Sequence, residues 1–108
     1  MQTYTQVYLD AFGLDETDFI PCEICEKKGT EIHHILARSK YMHLLNDIVN
    51  LQSICRPCHE KYGDEVYIMP MLLKIHRMVL LVNRIEFDEK HFEFYIKLYE
   101  TKTELKNV

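Results

Sequence analysis

CEICEKKGTEIHHILARSKYMHLLNDIVNLQSICRPCHEKY, residues 22–62, carries two Cys-x-x-Cys pairs, Cys22/Cys25 and Cys55/Cys58, on either side of the dipeptide His33-His34. A two-residue gap lets both sulfurs of a pair face one tetrahedral ion, and two such pairs fill all four of its positions. The ion held this way has no open site, so it is structural, and the donor set is that of Zn²⁺. In a reducing compartment such pairs are more readily metal ligands than disulfides. The stretch between the pairs, residues 26–54, is longer than a simple zinc ribbon needs. It carries something inside it.

The insert reads as strand, loop, strand, helix. TEIHHIL, with Ile32 and Ile35 flanking the histidines, predicts a strand, and NLQSIC predicts a second. Pro57 sits where the first turn of a helix tolerates it, so CHEKYG opens a helix that ends near Gly63. A zinc ion then ties the approach to the first strand to the start of that helix, which brings His33, His34, Asn50 and His59 near one another. Side chains alternate along a strand. His33 and His34 can therefore serve one site only where the strand ends or bulges.

These residues resemble the HNH endonucleases over about Phe19 to Gly63. Glu-Ile-His-His-Ile, Asn50-Leu51 ahead of the second cysteine pair, and Cys-x-x-Cys-His carry the resemblance. The phrases DFIPCEIC and NLQSICRPCHEKYGD look like those of small members from bacterial viruses. The resemblance implies an α+β fold: a small ββα-metal (His-Me finger) core stapled by a four-cysteine zinc site, with an N-terminal helix and C-terminal helices around it. It implies a metal-dependent endonuclease that hydrolyses DNA, by nicking or double-strand cleavage, and leaves 5'-phosphate and 3'-hydroxyl ends.

Phosphodiester hydrolysis needs a base to deprotonate water and a cation on the phosphate as charge develops. By the resemblance, His34 is the general base. His33 and His59 hold one catalytic divalent ion, Mg²⁺, Mn²⁺, Ni²⁺ or Zn²⁺. Asn50 steadies the loop and orients the base, so the catalytic set is His34, Asn50 and His59. Arg38, Lys40 and Arg56 are candidates for gripping phosphates, arginine being the better bidentate donor. The segment LARSKYMHLLNDI departs from the family pattern, because it lacks the Pro after His-His-Ile and the Gly pair often found there. His43 in that loop reads as a surface residue.

At 108 residues with 47% hydrophobic and 28% charged, the composition is that of one ordered domain. We divide the span 1–108 into a core at 19–63 and a helical extension at 64–108. The net charge of -4 argues against avid nucleic-acid binding, but its distribution is uneven. Residues 1–25 carry five acids and no Lys or Arg, whereas residues 26–61 carry six basic groups against four acids. Basic charge thus gathers on the motif stretch, as phosphate contact requires. No run of eighteen apolar residues occurs, and MQTYTQVYLDAF has neither a basic n-region nor an apolar h-region. The expectation is a cytoplasmic protein without a membrane span.

Outside the motif the pattern is helical. Tyr4, Val7, Tyr8 and Ala11 share a face of a helix ending at Gly13. Pro70 opens another, with Met71, Leu72, Ile75, Met78, Val79 and Val82 as its apolar stripe. A last helix, about Asp88 to Leu105, carries Phe92, Tyr95, Ile96 and Tyr99 with Phe94 and Leu98 toward another face. So much apolar surface calls for two neighbours, a homodimer through the C-terminal helices, or a protein partner. His76 and His91 read as ordinary helix residues. Two other functions compete with cleavage. One is a zinc-knuckle module that binds nucleic acid or protein without cutting, and the other is an interaction protein built on the C-terminal helices. A binding module has no chemical need for His33, His34, Asn50 and His59 together, which puts catalysis first.

Overall fold

The computed structural model describes residues 3–106, so the ends of the expected 1–108 span lie outside the described residues. The elements are α1 (Tyr4–Phe12), β1 (Glu31–His34), β2 (Leu51–Ile54), α2 (Arg56–Tyr62), α3 (Met69–Val82) and α4 (Glu89–Lys106). β1 and β2 form a two-stranded antiparallel sheet that leads directly into α2. The fold is α+β, and its centre has the expected strand, loop, strand, helix order. No described helix is long and apolar enough to cross a membrane.

Local chemistry sets the boundaries. The Thr3 hydroxyl accepts the backbone N–H of Gln6 at 3.2 Å and starts α1, and Gly13, left-handed at φ 67°, stops it. In the sheet, His33 stands opposite Gln52 and His34 opposite Leu51. β1 ends at His34, and the strict alternation of side chains ends with it. The loop that follows is fastened by an aromatic anchor rather than by Pro and Gly. Tyr41 is buried, its hydroxyl lies 3.0 Å from that of Tyr99, and its ring meets Tyr95 edge-on at 5.5 Å. The C-terminal helix therefore holds the loop that departs from the family pattern.

A single apolar cluster joins the loop after β1 to the C-terminal helices, through Ile35, Leu36, Leu44, Leu72, Leu73 and Phe92. Each such side chain, fully buried, stabilises the fold by about 1.5–3 kcal/mol. The apolar stripe predicted for α3 is rotated in the structure. Leu72 is buried as expected, but Met69, Leu73, His76 and Leu80 complete the inner face, while Met71, Met78 and Val82 are exposed. His76 is the reason. Far from being an ordinary helix residue, it is fully buried with Nδ1 2.8 Å from Glu23 Oε1, and its Nε2–H donates to the Ile48 carbonyl at 2.6 Å. The Glu23 carboxylate also accepts from the Tyr8 hydroxyl at 2.8 Å and from Gln52 Nε2 at 3.3 Å. Glu23 lies between Cys22 and Cys25, so this buried network fastens α1, β2 and α3 to the first cysteine pair.

Candidate functional site

The two cysteine pairs meet. The sulfurs of Cys22, Cys25, Cys55 and Cys58 all lie within 4.8 Å of one another, with Cys25 and Cys55 3.5 Å apart. A left-handed Glu26, φ 67°, turns the first pair, and Cys55 caps α2 so that Cys58 follows on its first turn. Burial works against a Cys22 thiolate, but backbone N–H groups of Cys25, Cys55 and Ile24 bring its pKa down to about 7. Burial and the other three sulfurs push Cys58 far above the ordinary thiol range. Four crowded thiols cannot ionise together without a cation among them, and a tetrahedral dication supplies that charge. The donor set and spacing fit a structural zinc.

Beside the cluster lies an open groove of about 780 Å³. His33, His34, Arg38 and His59 all line it. The ring centroids of His33 and His59 are 4.7 Å apart. His33 is buried, and its Nε2 is sealed from solvent with no hydrogen-bond partner among the described residues. Burial and the neighbouring His59 push its pKa down to about 4, so its ring is neutral at pH 7 and has a lone pair to offer. An orphaned, neutral imidazole nitrogen beside a second histidine fits a divalent ion. On His59, Nδ1 lies 2.5 Å from Glu31 Oε2, so its hydrogen faces the carboxylate and Nε2 is left for a ligand.

His34 stands on the other side of the groove. Its Nε2 lies 2.9 Å from the Leu45 carbonyl, which can only accept, so this nitrogen carries the hydrogen and Nδ1 keeps its lone pair. Burial pulls His34 below the ordinary histidine range, with Arg38 adding to the effect and the Leu45 carbonyl opposing it. The ring is thus neutral and basic at Nδ1 near pH 7. Asn50 is fully buried, and its side-chain hydrogen bonds go to backbone rather than to either histidine. Its Oδ1 accepts from Leu36 N–H at 2.7 Å and its Nδ2 donates to the Leu36 carbonyl at 3.0 Å. It clamps the chain two residues beyond His34.

The three candidate phosphate contacts differ in placement. Arg38 lines the groove. Lys40 lies in the next turn with Nζ 5.8 Å from the Tyr41 ring centroid. Arg56 is turned to Glu31 at 2.7 Å and to Glu60 at 3.3 Å. The hydrogen bond from His59 and, after it, that from Arg56 hold the Glu31 carboxyl below its usual range. His43 is exposed, as expected.

Sequence reasoning overlooked three residues of this groove. Glu31 precedes His33 by two on β1, so strand alternation puts them on one face, and that signal was available. Tyr4 of α1 meets the His34 ring edge-on at 4.6 Å, and Asp64 lies beyond Gly63 on the far rim. Nothing in the local sequence announces either one. Only the packing of α1 against β1, and the turn after α2, bring them there.

No curated protein and no solved structure matches the chain. Residues 22–65 match the family model described as HNH endonuclease. Together with the cysteine cluster and the strand, loop, strand, helix unit, that match makes residues 22–65 of this chain similar to the HNH endonucleases.

Proposed function

We propose that this groove is the active site of a metal-dependent endonuclease that hydrolyses DNA phosphodiester bonds. One observation carries the reading. His34 is held by its Nε2 with Nδ1 unprotonated, on a groove whose other wall holds the orphaned nitrogen of His33 beside His59. A divalent ion held by His33 and His59 would supply positive charge to the scissile phosphate as its negative charge grows.

The chain's own residues do the rest. His34 takes a proton from water at Nδ1, the water oxygen bonds to phosphorus, and the bond from phosphorus to the 3' oxygen breaks. The departing oxygen acquires a proton from solvent, giving 3'-hydroxyl and 5'-phosphate ends. Tyr4 and the Leu45 carbonyl keep the His34 ring in place. Arg38 neutralises phosphate at the groove. Asn50 holds the backbone beyond the base and acts as a positioning residue. The four thiols, serving as ligands, suit a reducing compartment, and this reading puts the protein in the cytoplasm.

A second reading is a zinc-knuckle module that binds without cutting. It is favoured by the engagement of Arg56 with Glu31 and Glu60, which removes a cation from the phosphate path. Supercoiled plasmid with Mg²⁺, Mn²⁺ or Ni²⁺ at low salt separates the two. Wild-type protein should cut, and His34→Ala should lose at least about 100-fold in rate, as removal of a general base does. The ratio of nicked to linear product reports whether two copies act on one duplex. If neither protein cuts with any of the ions while both remain folded and zinc-loaded, the binding module replaces the nuclease.

A further inference from the structure

Asp64, two residues past the end of α2, has no part in the chemistry above. Its Oδ2 stands 3.9 Å from Nε2 of His59, the nitrogen that Glu31 leaves free. Two donors each about 2.1 Å from one ion lie about 3 to 4 Å apart, a separation this pair meets. Among the described residues only the four cysteines bring three or more donors within 4.8 Å of one another, so an ion has to draw Asp64 and the two histidines together as it binds. Asp64 lines the same groove as His33 and His59, and its charge reaches His33 as well. Its side chain is largely exposed, and no hydrogen bond engages it among the described residues. The independent sign of a ligand is His33 Nε2, on a side chain more than nine-tenths buried and with no partner among the described residues. A ring nitrogen sealed in this way is unfavourable unless something fills the space before it.

The neighbouring carboxylate, Glu31, is not available for the same task. One oxygen is on His59 Nδ1 and the other is on Arg56. Asp64 comes within reach because Gly63 has no side chain. A Cβ at Gly63 would stand 2.3 Å from His59 Cδ2, so the chain crosses directly against the imidazole before turning. The turn puts Asp64 in the left-handed region at φ 66°, which aspartate tolerates better than most residues.

We propose that Asp64 is a third protein ligand to the divalent ion, completing with His33 and His59 a two-histidine, one-carboxylate set. This rests on the reading of those histidines as ligands. A carboxylate oxygen suits Mn²⁺ and Mg²⁺, whereas imidazole alone suits Ni²⁺ and Zn²⁺, so Asp64 biases the groove toward the oxygen-preferring ions.

The test is calorimetric titration of the zinc-loaded full chain with Mn²⁺ and, separately, Ni²⁺, without substrate. Asp64→Asn, which keeps the turn, should weaken Mn²⁺ by about 10- to 100-fold, at least what loss of an outer-sphere partner costs. Ni²⁺ should weaken less. Asp64→Gly should lose the same Mn²⁺ affinity while its melting temperature holds or rises, because glycine relieves the positive φ. A purely structural Asp64 would not divide the two readouts. Glu65→Gln, the same charge change one residue on, should leave both affinities unchanged. Unaltered Mn²⁺ binding in Asp64→Asn, with binding lost in His59→Ala, would overturn the ligand role and leave the active-site reading standing. Wild-type Mn²⁺ binding in His59→Ala, or no Mn²⁺ binding by the wild type, would overturn both.

Discussion

The cysteine cluster and the histidine groove share one helix. α2 supplies Cys58 to the first and His59, the next residue, to the second. The cluster has four like donors facing one another with none left over. The groove has imidazoles in different settings, a carboxylate at its rim and an open side. A complete donor set turns metal affinity into folding energy, whereas an incomplete set leaves room for water and phosphate. The first can then serve the second. Fixing the start of α2 with zinc fixes His59 relative to His33, and the Glu23 network joins the same knuckle to α1 and α3.

The largest effect should come from breaking the closed set. Structural zinc binding is worth about 10–16 kcal/mol in small zinc-binding peptides. A domain has about 5–15 kcal/mol of net stability. Cys58→Ser should therefore lose its zinc equivalent and its cooperative melt by circular dichroism, whereas His59→Ala should keep both. A Cys58→Ser protein that melts like the wild type with zinc bound would mean that the cluster does not hold the scaffold.

A smaller effect is expected at the link between the two regions. Asn50→Ala leaves the buried N–H and carbonyl of Leu36 unpaired, at a cost of about 2–5 kcal/mol. Denaturant melts should show that loss with zinc content unchanged, and cleavage should fall even at temperatures where the variant stays folded. Full stability in Asn50→Ala would remove the clamp from the account.

The mildest test separates two arginines that look equivalent in sequence. Arg38→Ala should reduce the salt dependence of DNA binding by about one phosphate's worth, a slope change of about 1. Arg56→Ala should leave that slope unchanged, because its guanidinium is engaged by Glu31 and Glu60. Equal slope changes in the two variants would return Arg56 to the DNA.

Much of the groove was legible because its residues lie on short-range patterns. The Cys-x-x-Cys gaps dictate a shared ion, the strand, loop, strand, helix order follows from alternation and from Pro57, and His59 follows Cys58 directly. Glu31 was legible by the same alternation and was overlooked. The stripe on α3 was misread because a hydrophobic pattern scores histidine as outward-facing. Its inward turn depends on Glu23, 53 residues away in sequence. The loop after β1 looked deficient in Pro and Gly, since its anchor, Tyr41 on Tyr99, lies 58 positions apart.

By itself the sequence determined the donors: which residue types stand at which short spacings, and hence a closed thiolate set, a pair of histidines at a strand end and the helix that follows. Tertiary structure alone decided which nitrogen of each histidine is free. That choice depends on partners brought from elsewhere, namely the Leu45 carbonyl for His34, Glu31 for His59 and the closing of the core over His33. Ligand identity is a property of a residue, but lone-pair direction and protonation belong to its surroundings, and those exist only once the chain has packed.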